Sequence, residues 1–108
     1  MAREKYKTLT EQMFYILLCL TNECCGMDIM EKVKTLTKGH IAIGPGTLYA
    51  LLGDFCKDGL IKVTQIDGRK RSYIITDLGK KKLEEEYIRL DRLKGDYEAI
   101  MKGENHEG

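Results

Sequence analysis

The chain has 108 residues, of which 43% are hydrophobic and 32% are charged, and its formal net charge is +1. This length fits one small domain with its own core, and the composition excludes a largely disordered chain. The apolar stretch at residues 13–20 is too short to span a bilayer and no cleavable signal precedes it, so we expect a cytoplasmic protein without membrane contact.

The first predicted helix begins near Thr8. Thr8 and Glu11 have the spacing of a capping box, in which each side chain satisfies a free amide of the first helical turn. The apolar residues that follow recur at helical spacing: Met13, Ile16, Leu17 and Leu20. We expect this helix to end within residues 22–26.

Two more helices are predicted in the next third of the chain. The second covers residues 27–36, and a short extended segment is expected at residues 41–43. The third begins with Pro45, which is tolerated at a first helical position because its missing N–H costs nothing there, and it ends at Gly59. Its apolar stripe consists of Leu48, Leu51, Leu52 and Phe55.

A β-hairpin and a last helix complete the prediction. Asp67-Gly68 is a hairpin turn signal between two segments rich in β-branched and aromatic residues, 60–66 and 71–76. Thr76 is a good N-cap for the helix that follows. Three helices, a hairpin and a long helix indicate a mainly helical α+β fold, a winged helix-turn-helix with a C-terminal dimerisation helix.

The order of the elements predicts a division of the chain into three parts. We assign residues 1–76 to the winged helix-turn-helix, residues 77–102 to the dimerisation helix and residues 103–108 to a disordered tail.

The cations of this nearly neutral chain are unevenly distributed. Residues 57–82 hold eight lysines and arginines against three aspartates, whereas acidic residues dominate after residue 83. A local basic face of this kind favours binding to double-stranded DNA, with the third helix in the major groove and the hairpin beside it. The predicted DNA-binding residues are Pro45, Gly46, Thr47, Tyr49, Ala50, Arg69, Lys70 and Arg71.

The sequence is also compatible with a function other than DNA binding. The low net charge is also compatible with a winged-helix module that binds a protein and never touches DNA. We find no catalytic constellation, phosphate loop or paired metal ligands, so we expect no enzyme activity, metal or cofactor. The four cysteines are predicted to be reduced, with Cys19 and Cys56 buried; whether Cys24 and Cys25 sense redox state stays open.

Two segments resemble the PadR family of bacterial transcriptional regulators. The stretch "GPGTLYALLGDFCKDGLIK" is similar to the family's third helix, and "DGRKRSYIITDLGKKKL" is similar to its wing and the Thr-x-x-Gly start of its last helix. Met27 stands where the family usually has tyrosine, and Ala50 where proline often follows the Leu-Tyr pair. The resemblance implies a homodimeric repressor that binds a palindromic operator and releases it when a small-molecule effector binds.

The last helix supports the dimer independently of the resemblance. Its apolar residues recur near coiled-coil spacing on a helix that extends past the core, and a lone chain would expose too much apolar surface there. The predicted dimer interface is Leu83, Tyr87, Leu90, Leu93 and Tyr97. Tyr87, Leu90 and Met101 are the candidate lining of a small apolar effector pocket.

Overall fold

The computed structural model describes the backbone of residues 5–107 and the side chains of residues 5–103. The elements follow the predicted order, with one additional short strand. They are α1 (Glu11–Cys19), β1 (Cys24–Cys25), α2 (Gly26–Leu36), α3 (Pro45–Lys57), β2 (Ile61–Asp67), β3 (Lys70–Ile75) and α4 (Asp77–Glu107). The predicted winged helix-turn-helix with a long last helix is therefore confirmed.

One core joins all of these elements. Its fully buried members are the inward-facing residues of α1, α2 and α3 together with the base of the hairpin, as the spacing of apolar residues predicted. The largest of them are Phe55, Ile16, Leu17, Leu20, Ile29, Leu48, Leu52, Leu60, Ile61 and Val33. Burying this set is the dominant favourable term in folding, and it fixes the position of α3 against the hairpin.

The start of α1 differs from the prediction. Thr10, not Thr8, is the N-cap: its backbone is extended and its hydroxyl accepts a hydrogen bond from the Met13 amide at 3.2 Å. The helix also ends earlier than residues 22–26, since Leu20 is its C-cap. The early end leaves room for β1, which the sequence did not reveal because two residues carry no detectable alternation.

The sheet has three antiparallel strands in the order β1-β3-β2. Cys24 pairs with Tyr73, and the hairpin register runs from Ile61 opposite Ile75 to Asp67 opposite Lys70, with a bulge between Val63 and Gln65. Residues 41–43, predicted as extended, join no strand. The Ile41 amide instead donates to the Thr37 hydroxyl at 3.0 Å, so that segment is held against the end of α2.

The long helix α4 begins as predicted and ends later. The Thr76 hydroxyl accepts from the Gly79 amide at 3.1 Å, as expected of an N-cap. The helix continues through Gly95 and past residue 102 to Glu107, so 103–107 are helical where a disordered tail was predicted; Gly108 lies outside the described residues. A single glycine costs a long helix only about 1 kcal/mol, which does not end it.

Candidate nucleic-acid interface

The first turn of α3 projects from the protein surface. Gly44 is an extended N-cap, Pro45 occupies the first helical turn, and the buried Leu48 anchors this end of the helix to the core. The predicted DNA-binding residues of this turn are exposed: Pro45, Gly46, Thr47, Tyr49 and Ala50. Gly46 and Thr47 have small side chains, and the amides of a first helical turn lack intrahelical acceptors, so a phosphate can approach this turn closely.

The hairpin forms a wing with its three cations at the tip. Gly68 has φ of +63° and Arg69 does not have a positive φ, the pattern of a type II′ turn with glycine at its first central position. The turn residues are therefore Gly68 and Arg69, whereas the predicted Asp67 is the last residue of β2. This turn suits the right-handed twist of the strands, so the tip is held in a defined orientation.

The wing cations have no carboxylate partner among the side chains of residues 5–103. The ion pairs of that part of the chain involve Lys5, Lys82, Arg89 and Lys102 instead. Arg69, Lys70 and Arg71 are all exposed. An exposed cluster of like charges without internal neutralisation is a site where an anionic partner gains binding energy.

A cleft of about 630 Å³ separates α3 from the wing and brings the two predicted groups together. Tyr49 lines it from the helix, and Arg69, Lys70 and Arg71 line it from the wing. The other predicted residues of α3 do not line it, so the predicted set divides into a cleft-facing group and an outward-facing group. The outward-facing group is Pro45, Gly46, Thr47 and Ala50.

Several residues of the cleft were not predicted as site residues. Met27 at the start of α2, Val63 on β2 and Cys56 on α3 all line it. They lie on three different elements, so no spacing along the sequence connects them. Met27 is 57% exposed because it lies on the face of α2 opposite the buried Ile29, and this spacing is the signal that could have placed it at the surface.

Gly26 allows this arrangement because it brings α2 close to the aromatic rings beside the cleft. A Cβ at Gly26 would lie 3.3 Å from Cε1 of Tyr73 and 3.4 Å from Cε1 of Tyr49. Tyr73 is buried between the wing and the helices, and Tyr49 is 46% exposed. The rings of these two tyrosines form part of one surface with α2.

The cysteines are less buried than predicted. Cys19 and Cys56 are half-buried, and it is Cys24 that is buried, with its thiol donating to the Cys25 carbonyl oxygen at 3.3 Å. Burial raises the pKa of the Cys24 and Cys56 thiols. A higher pKa leaves less thiolate at neutral pH, which lowers the reactivity of both thiols.

The predicted dimer surface on α4 is largely uncovered in the single chain. Leu83 is half-buried, whereas Tyr87 is 60% exposed and Tyr97 is 66% exposed. Leu90 and Leu93 are exposed as well. The exposed apolar residues continue beyond the predicted set to Ile88, Ile100 and Met101.

The three candidate effector-pocket residues do not meet within one chain. Tyr87 lines an apolar groove of about 330 Å³ together with Phe14, Leu18 and Leu83, between α1 and α4. Leu90 does not line this groove, and Met101 lies fourteen residues beyond Tyr87, about 21 Å along the helix axis. Such a pocket therefore requires a second chain.

The described part of the chain offers little other chemistry. Within it, no three His, Cys, Asp or Glu side chains come together as ligands for a metal ion. None of the helices between residues 5 and 107 is long and apolar enough to cross a membrane.

Comparison with known proteins agrees with this geometry. The transcriptional regulator PadR-like family matches residues 16–85, well over half of the chain. No curated protein matches the sequence.

Solved structures share the fold at low sequence identity. A transcriptional regulator from Clostridium thermocellum, Cth-833, is 20% identical, with a TM-score of 0.69 over 87% of this chain and 99% of that one. PcaV from Streptomyces coelicolor, solved with its natural ligand, is 16% identical, with a TM-score of 0.67 over 92% and 67%. A PadR-like transcription factor from Bacteroides fragilis is 22% identical, with a TM-score of 0.56 over 90% and 89%. The chain belongs to the PadR-like family of transcriptional regulators.

Proposed function

We propose that this protein is a homodimeric repressor that binds a palindromic operator in double-stranded DNA through α3 and the wing. The observation that carries the proposal is the cleft, in which Tyr49 of α3 faces three wing cations that have no carboxylate partner among the side chains of residues 5–103, with the exposed first turn of α3 beside it. The first turn of α3 enters the major groove, where Thr47 and Ala50 are exposed toward base edges. The wing cations bind phosphates.

The homodimer forms through α4. Seven large apolar side chains of this helix beyond residue 86 are exposed in the single chain, and Leu90, Leu93, Tyr97 and Ile100 follow one another at intervals of three, four and three residues. This is the spacing of a coiled-coil seam, which buries its apolar residues only against a second helix. A twofold axis through this seam directs two α3 helices toward two half-sites, about one DNA turn of 34 Å apart.

An effector regulates the operator complex by changing the angle between the two chains. The uncovered face of α4 beyond Tyr87 gives such a ligand apolar surface where the two chains meet. To release DNA, the effector must bind the released arrangement more tightly than the DNA-bound one. The groove that Phe14 and Tyr87 line lies beside this part of α4 and adds to the apolar surface for the effector.

The wing contribution is tested by replacing Arg69, Lys70 and Arg71 together with alanine. Binding is measured on a duplex that the wild-type protein selects from a random-sequence pool, over a series of salt concentrations. We expect affinity to fall about tenfold and the salt dependence to become shallower, by about 0.9 in the log–log slope for each phosphate that the variant no longer neutralises.

A matched variant removes three cations from the far part of α4: Arg92→Ala, Lys94→Ala and Lys102→Ala. We expect its salt slope to stay at the wild-type value. An unchanged slope and affinity in the folded wing variant would refute the role of the wing in DNA binding. If the wild-type protein selects no duplex at all, the proposed function fails and a winged-helix module that binds a protein remains.

A further inference from the structure

The floor of the cleft differs chemically from its rim. Arg69, Lys70 and Arg71 form the cationic rim on the wing side. The floor is apolar: Met27 is 57% exposed and Val63 is 37% exposed, and both line the cleft. Both side chains are exposed in the single chain, although Ile29 and Val33 of α2 and Ile61 of β2 are buried, so they offer apolar surface to a ligand of the cleft.

A sugar–phosphate backbone has the same combination of surfaces. Its phosphates are anionic and fully accessible, and between them the deoxyribose rings present apolar C–H edges. A ligand that crosses the cleft lengthwise places anions against the rim and sugar edges against the floor. A free anion would use the rim alone, and a purely apolar ligand would leave the three cations unneutralised.

We propose that the cleft seats the sugar–phosphate backbone of one DNA strand and that Met27 and Val63 pack against its deoxyribose rings. This assignment rests on the proposed function and adds two DNA-binding residues of a different chemical kind. The strand lies between α3 in the major groove and the wing beside it, so the cleft between those two elements receives the backbone rather than the base edges.

Two properties distinguish packing against sugars from the other interactions at this surface. It neutralises no phosphate, so its removal weakens binding equally at every salt concentration. It reads no base edge, so its removal weakens binding equally on every operator sequence. If Met27 packed against a base instead, binding would depend on a thymine methyl group at one position of the site.

The test uses the full-length variants Met27→Ala and Val63→Ala on a duplex selected by the wild-type protein and on a set of its single-base variants. For Met27→Ala we expect binding about five- to tenfold weaker, since each buried CH₂ contributes about 0.8 kcal/mol. The smaller Val63 side chain should show an affinity about threefold weaker. The salt slope and the ranking of the single-base variants should both stay as in the wild type.

Leu36→Ala is the matched control, since Leu36 lies at the other end of α2 and is 55% exposed. We expect it to leave DNA binding unchanged, and Met27→Leu to restore most of the affinity. Met27→Ala and Val63→Ala binding as tightly as the wild type would overturn the inference while the proposed function stands. The inference would also be overturned if Met27→Ala weakened binding only to duplexes with one particular base pair, or if it changed the salt slope. Failure of the wild type to select any duplex would overturn both.

Discussion

The two parts of α4 differ in the contacts that hold them against the rest of the chain. The anchored part, residues 77–89, contains the buried Gly79, Lys82 and Glu86; Gly79 lies against the hairpin base and Glu86 bonds to the segment before α1. The distal part, residues 90–103, has no buried residue, although its apolar side chains are as large as those of the core. Both parts belong to one continuous helix.

The contacts that fix the position of α4 are therefore distinct from the apolar surface that the helix exposes. The anchored part is held by the close approach of Gly79, by a buried carboxylate and by Leu83, which packs against the core. The Glu86 carboxylate accepts from the Leu9 amide at 3.3 Å and from the Arg89 Nε at 3.1 Å, so it fixes α4 to the segment before α1. The distal part offers apolar area that the rest of its own chain does not cover, and a second chain would cover it in the proposed homodimer.

The largest expected effect is that of Gly79→Ala. A Cβ at Gly79 would lie 2.2 Å from the Leu60 carbonyl oxygen and 2.6 Å from Cγ1 of Ile75, and a backbone oxygen cannot rotate away as a side chain does. We expect the free energy of unfolding, measured by urea denaturation, to fall by about 3 kcal/mol.

The control for this variant is the same substitution in the distal part. Gly95 has no heavy atom within 4 Å of an added Cβ. Gly95→Ala should therefore stabilise the chain by about 0.5 to 1 kcal/mol through helix propensity alone. If both substitutions change stability equally, the division of α4 into anchored and distal parts is wrong.

A smaller effect is expected at Glu86. Hydrogen bonds from Arg89, and next from the Leu9 amide, lower the pKa of Glu86, while burial opposes them. A lowered folded pKa means that the ionised carboxylate stabilises the fold above the ordinary pKa of glutamate, and that this stability is lost as the pH falls through the folded value. Glu86→Gln should cost about 1 kcal/mol near neutral pH.

The pH dependence of the free energy of unfolding distinguishes the buried Glu86 carboxylate from an exposed one. The stability difference between wild type and Glu86→Gln should shrink as the solution is acidified, because protonated Glu86 resembles glutamine. Glu85→Gln is the control: Glu85 is about half exposed and pairs with Lys82 at 3.5 Å, so its effect should be close to zero. A difference that is constant with pH would contradict the role of the Glu86 charge.

The smallest expected effect concerns the distal part. With Leu93 and Tyr97 both replaced by serine, we expect the melting temperature to become independent of protein concentration. Wild-type Tm should rise by a few degrees for each tenfold increase in protein concentration, since a dimer gains stability by mass action. The double variant should melt at one temperature throughout and sediment as a monomer. A concentration-independent wild-type Tm would argue against assembly through α4.

Much of the fold was predictable because its signals are local. Pro45 at the first turn of α3, Thr76 as an N-cap and the glycine in the hairpin turn each act on neighbouring residues, and the structure bears them out. The start of α1 was predicted wrongly because Thr8 and Thr10 are both suitable caps. Only the path of the preceding segment decides between them. Strand β1 was missed because its pairing with β3 joins residues about fifty positions apart.

The candidate site also has one part that the sequence predicted and one part that it did not. Exposure of the wing cations and of the first turn of α3 followed from turn chemistry and helix-start chemistry. The apolar floor did not, because Met27 and Val63 come from different elements and resemble ordinary core residues in sequence.

By itself, the sequence determined which segments are helical or extended, where the cations cluster and that the last helix carries an apolar stripe. These properties depend on residues within a turn or two of one another. The tertiary structure alone decided that α3 and the wing enclose a cleft, that Gly79 lies against Leu60, and that the apolar stripe of α4 is left uncovered after residue 86. Each of these depends on the packing of segments distant in the chain, which no local pattern records.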